Sequence, residues 1–151
     1  MSGPMRGLMA GLIALAVTWG GAHAEDRMRA TLDQSAVLTA ALSGPLMTDT
    51  PGPLRLHVSI VAFTPPRDRK SVEIVVSASA PPNGAPHELG RVAITPYAAF
   101  GARDTARHQY FAFHIPDDIK SVYRLTVSVA LHPVNGGGTG ASLEVGEANI
   151  R

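Results

Sequence analysis

The chain has 151 residues, with 13 basic and 12 acidic side chains and no cysteine. That length suits one domain whose core can stand without staples. The lack of cysteine excludes disulfides, thiolate metal sites and cysteine nucleophiles together. The near-balance of charge, with no basic stripe along the sequence, speaks against nucleic acid as a partner.

The first segment in chain order is a targeting signal. Arg6 supplies a positive charge, Leu8 to Val17 is an apolar run of ten residues, and Ala22-His23-Ala24 has the small-x-small pattern of a cleavage site. The run is too short for the roughly 20 residues a membrane-crossing helix needs. Residues 1–24 therefore read as a cleaved signal peptide, which places the protein in the periplasm or outside the cell with no membrane anchor. Cleavage leaves 127 residues starting at Glu25; Arg6 and the single tryptophan, Trp19, go with the signal, so the mature chain is formally neutral.

Residues 25–52 form an N-terminal segment and connector. Ala, Leu and Gln between Arg27 and Leu42 permit a helix, while Thr31, Val37 and Thr39 permit a strand; a strand is expected, because a sandwich gains from another pairing partner. Gly44 to Pro53 reads as a linker. From residue 53 to 151 the pattern is strand, turn, strand. Leu54, Leu56, Val58 and Ile60 alternate with Arg55, His57 and Ser59, which puts one face in a core. Pro65-Pro66-Arg67-Asp68 ends that run. Val72, Ile74 and Val76 form the next strand, closed by Pro81-Pro82-Asn83-Gly84. Leu89 to Thr95 is a shorter strand. Phe111, Phe113 and Ile115 point inward from the following one, with Tyr110 and His114 outward. Pro116 to Val122, with acidic residues near its start, predicts one short helical turn. Leu125, Val127, Val129 and Leu131 mark the clearest strand. Asn135 to Gly138 reads as a flexible loop, and Leu143 and Val145 open a closing strand that runs to Ile150. Short strands punctuated by Pro, Gly and Asn predict an all-β fold, a single antiparallel immunoglobulin-like β-sandwich.

Chemistry-bearing patterns are sparse. Five histidines follow the signal: His57, His87, His108, His114 and His132. None are spaced for a helical metal pair. His57, His114 and His132 fall on polar strand faces, where they are either solvated or drawn together into a copper or zinc site. No nucleophile elbow is present, and Asp117-Asp118 is explained by a turn. The sequence thus predicts no catalytic residues, no bound metal and no cofactor. The loop from Thr95 to Asp104 mixes aromatics, Gly and charge. Tyr97, Phe100 and Arg103 are its candidate partner-binding residues, with capping of the core as the other role open to the two aromatics.

Leu54 to Ile150 resembles the C-terminal β-sandwich domain of tyrosinases and plant polyphenol oxidases. The resemblance runs through His87-Glu88-Leu89-Gly90-Arg91-Val92-Ala93-Ile94, then Phe111-Ala112-Phe113-His114-Ile115 and the turn from Asp117 to Val122. Leu125-Thr126-Val127-Ser128-Val129 and Leu143-Glu144-Val145-Gly146 complete it. The copper-binding histidine sets of that family's catalytic domain are not in this sequence. The resemblance therefore implies a stand-alone, non-catalytic module that binds no copper itself. It also implies a tyrosinase-like copper protein as partner, with the loop after Ile94 supplying a bulky side chain to that partner's pocket. A small copper-handling protein using His57, His114 and His132 is the alternative, and an adhesion or assembly domain is a third.

Overall fold

The computed structural model describes residues 28–42, 53–94, 98–120 and 124–151. The segment expected to be a signal peptide, residues 43–52 of the connector, residues 95–97 with Tyr97, and the end of the expected helical turn lie outside the described residues. The described residues form eight strands: β1 (Arg29–Thr31), β2 (Ala36–Leu42), β3 (Arg55–Thr64), β4 (Val72–Ser79), β5 (His87–Ile94), β6 (Gln109–His114), β7 (Arg124–Pro133) and β8 (Ser142–Ile150). The fold is all-β; among the described residues the only helical turn is a 3-10 turn at Thr105–Arg107.

Period-two alternation accounts for most of these strands. In β7, Leu125, Val127, Val129 and Leu131 are buried while Thr126, Ser128 and Ala130 are only half-buried. β7 pairs with β4 on one side and β2 on the other, so its apolar face lies over the middle of the core. Val72, Ile74, Val76 and Ala78 supply the same face from β4. In β3 the register to β8 shifts between Val58 and Ile60 and again between Ile60 and Ala62. The first leaves an extra residue on β8; at the second the inward phase of β3 changes, from Leu56, Val58 and Ile60 to Phe63 in the core. Gly146 of β8 makes the irregularity possible, because a Cβ there would collide with Val61 and Ser59. The Ser59 hydroxyl accepts a hydrogen bond from the Glu147 amide at 3.0 Å, which fixes the shifted register.

The strands form one continuous sheet in the order β5-β4-β7-β2-β8-β3-β6, with β1 also on β8. It curls nearly into a barrel. Every pairing is antiparallel except the one between β2 and β8, which is parallel and covers only Ala41↔Asn149 and Leu42↔Ile150. The expectation of a purely antiparallel arrangement fails at this splice, where β2 follows β7 along its length and meets β8 only with its last two residues. Residues 28–42 contain strand, as expected, but it is broken into two strands by a turn in which the Thr31 amide donates to the Gln34 carbonyl at 2.8 Å.

The sheet's outermost strands, β5 and β6, face each other across a seam. Gly90 on β5 lies under the Phe113 ring of β6, and a Cβ at Gly90 would stand 2.9 Å from the ring edge. At one end of the seam His87 Nε2 approaches Asp118 Oδ2 at 3.2 Å. Residues 116–120 form a hydrogen-bonded turn, Ile119 N–H to Pro116 O at 3.2 Å, rather than the helical turn expected. The glycine-rich segment read as flexible is held down: the Asp68 carboxylate accepts the Gly138 amide at 2.9 Å and the Lys70 amide at 3.0 Å. Gly138 adopts φ of +100°, which a side chain would strain.

Val127 is completely buried, between β2 and β4 neighbours. Val127→Asp places an unpaired carboxylate there, at a cost of several kcal/mol against a typical total stability of about 5–15 kcal/mol. Urea or thermal unfolding should show a variant that is largely unfolded at room temperature. A parent-like melt would mean that the inward phase of β7 is wrong.

Candidate functional site

The loop joining β5 to β6 crosses the seam at the opposite end from the His87–Asp118 contact. Its backbone is tied to β3 by a reciprocal pair of hydrogen bonds, Phe63 N–H to Phe100 O at 3.0 Å and Phe100 N–H to Phe63 O at 3.1 Å. The two rings pack with centroids 6.4 Å apart at 40°, a tilted aromatic contact. Phe100 is half-buried, with the core on one side and a groove on the other.

Beyond Phe100 the loop is a chain of tight turns. Asp104 N–H donates to Gly101 O at 2.9 Å, Arg107 N–H to Asp104 O at 3.0 Å, and His108 N–H to Thr105 O at 3.3 Å. The His108 Nε2–H donates to the Ala102 carbonyl at 3.1 Å, which assigns that proton to Nε2. Arg107 Nε sits 3.2 Å from Asp104 Oδ2, an exposed pair that orients the guanidinium more than it stabilises the fold. The groove has a volume of about 460 Å³ and is lined by Ala98, Phe100, Arg107 and Gln109. It combines one aromatic wall with a cation and an amide, on a segment whose shape is set by its own hydrogen bonds.

Of the three sequence-derived candidates, Phe100 lines this groove and Arg103 is exposed on the same loop, while Tyr97 lies outside the described residues. Ala98, Arg107 and Gln109 were not anticipated. Arg107 and Gln109 are ordinary polar residues in sequence, and only the turn at Thr105–Arg107 folds them back beside Phe100.

The three histidines of the metal alternative separate. In the β3–β6 register, Arg55 faces His114 and His57 faces Ala112, so His57 and His114 are diagonal neighbours on one outer face. His132 is elsewhere, opposite Glu73 in the β4–β7 pairing. Near it Arg91 holds Glu88 through two bonds of 2.7 and 2.8 Å and reaches Glu73 at 3.4 Å. The Arg91 hydrogen bond holds Glu88 below the ordinary carboxylate range. Among the described residues no three His, Asp or Glu side chains are grouped so as to hold a metal ion. Burial, then the charges of Arg151 and Arg55, push the His57 pKa below its ordinary 6.5. The chain matches no protein-family model, and no curated protein or solved structure is significantly similar to it.

Phe100→Ala removes a half-buried ring that packs on Phe63. It should cost about 1–2 kcal/mol, less than the 3–5 kcal/mol typical of a fully buried phenylalanine. Arg103→Ala, at an exposed position, should stay within about 0.5 kcal/mol of the parent. Chemical denaturation of the two variants checks the ranking; equal stability would detach Phe100 from the core.

Proposed function

We propose that the protein is an exported, non-enzymatic binding module that engages a partner with the loop at residues 98–109. The observation that carries this is the groove of Ala98, Phe100, Arg107 and Gln109. It offers an apolar wall and two polar groups on a loop already ordered by its own hydrogen bonds, so docking costs little further ordering. Binding residues collect on such loops when a rigid scaffold presents them. The non-enzymatic part rests on the sequence, which has no cysteine and no nucleophile elbow. Export to the periplasm or beyond rests on the pattern of residues 1–24.

The partner that the sequence resemblance points to is a tyrosinase-like copper oxidase, with Phe100 and Tyr97 as the bulky side chains nearest its pocket and Arg103 on the rim. The finer description of the fold as an immunoglobulin-like sandwich belongs with this proposal. Its support is the β2–β8 splice: only two residue pairs join a β5-β4-β7-β2 group to a β1-β8-β3-β6 group, and within each group all pairings are antiparallel.

Titration of the mature protein against a tyrosinase-like copper oxidase from the same organism tests the proposal. Ala98→Trp, which fills the groove, and Arg107→Glu, which inverts its charge, should each weaken association by roughly 30-fold, the hot-spot scale of about 2 kcal/mol. Circular dichroism should show both variants folded. If the parent protein does not associate, the tyrosinase assignment fails; association that survives both substitutions removes the groove from the interface.

A further inference from the structure

The chain, with a formal net charge of only +1, gathers several of its cations on one face once folded. Arg55 and Arg151 exchange both backbone hydrogen bonds, at 2.9 and 3.1 Å, so they are directly opposite each other across β3 and the end of β8. On the other side of Arg55 the register places His114. The next row runs Ala112, His57, Asn149, Ala41, Arg124 through β6, β3, β8, β2 and β7. Their neighbours along each strand, Leu56, Phe113, Leu125 and Ile150, are buried. The two rows therefore face outward together, with three arginines, two histidines and no acid. Among the described residues the nearest carboxylates along the chain are Glu147, exposed on β8 two residues before Asn149, and Asp117 and Asp118, which are engaged by Lys120 at 3.1 Å and His87 at 3.2 Å.

Like charges opposite each other in a sheet are destabilising, so the fold gains nothing from pairing Arg55 with Arg151. The field is felt at His57, whose proton affinity is lowered by burial and then by Arg151 and Arg55. On the same outer face of β6, four residues before His114, stands Tyr110, 70% exposed. Four residues along a strand span about 13 Å, room for two to three sugar rings. A tyrosine ring gives an apolar platform with a polar tip, and arginine forks match carboxylates bidentately.

We propose that this outer face of β3, β6 and the end of β8 binds a carboxylated polysaccharide, with Arg55, Arg151 and His114 holding uronate carboxylates and Tyr110 stacking on a sugar ring. The arginine end of this face is remote from the groove at residues 98–109, while Tyr110 directly follows Gln109 of that groove in β6. Phe63, which anchors that loop, is eight residues from Arg55 along β3, roughly 27 Å.

Polygalacturonate is the probe, measured by affinity electrophoresis and calorimetry on the protein cleaved after residue 24. Binding is expected at low salt and should weaken as salt rises, since exposed charges are screened. The double variant R55Q/R151Q keeps the backbone pairing and should lose at least tenfold in affinity together with most of the salt dependence. Tyr110→Ala should weaken binding severalfold and keep the salt dependence. Both variants should melt no lower than the parent, which separates a binding loss from unfolding. Neutral dextran should not bind. No binding of polygalacturonate at low salt, or binding unchanged in the arginine variant, overturns the proposal. So does equal, arginine-dependent binding to phosphatidylglycerol vesicles, which would make this a membrane-facing surface.

Discussion

A sheet that curls on itself must settle what happens where its two outermost strands meet, and here the contact is a ring laid over a glycine. β5 and β6 are not hydrogen-bonded partners. What joins them in mid-strand is Phe113 lying across Gly90, where any side chain would strike the ring. The edge strands of an open sheet expose unpaired backbone groups and invite foreign pairing. Covering the seam with an aromatic ring, and tying its end with His87 and Asp118, brings the two edges together without a complete ladder of bonds. Phe113 also completes the apolar interior, opposite Leu56 of β3.

Both candidate binding surfaces depend on that seam. The loop carrying Phe100, Arg107 and Gln109 lies between β5 and β6 in the chain, the two strands that Phe113 and Gly90 bring together. The Phe63–Phe100 bridge then fixes its middle to β3. At the other end, His114 is the last residue of β6, immediately after Phe113, and its place beside Arg55 follows from the same strand. One strand, β6, thus presents the groove at its start and the basic row at its finish.

The strands were legible because most have one buried face, and alternation is what a half-buried strand imposes on sequence. Val58, Val76, Phe113, Val127 and Val129, expected inside from their spacing, are all buried. What alternation does not encode is a change of phase within a strand. The bulges in β3 and the reason for Gly146 show only when β8 is laid beside it. The parallel splice of β2 onto β8 is two residues long and leaves no periodic trace. Gly90 read as an ordinary strand residue, since its use depends on a ring 23 positions away. The site was less legible still. Phe100 and Arg103 stand in a loop marked by the family resemblance and by its mix of aromatics, Gly and charge, but Arg107 and Gln109 join Phe100 only through a three-residue turn. The basic face leaves no mark in the sequence, because Arg55, His57, His114, Arg124 and Arg151 are scattered through a chain whose total charge is close to zero.

The seam is tested most directly by hydrogen exchange, residue by residue, on Phe113→Leu. Leucine keeps the position apolar but removes the ring that covers Gly90. If Phe113 holds the two edge strands together, amides of β5 and β6 lose protection as a unit, by a common factor, while β4, β7 and β2 keep theirs, in the manner of a cooperative sub-global opening. Loss of protection confined to β6, with β5 unchanged, would contradict it, because the two edges would then be independent of each other.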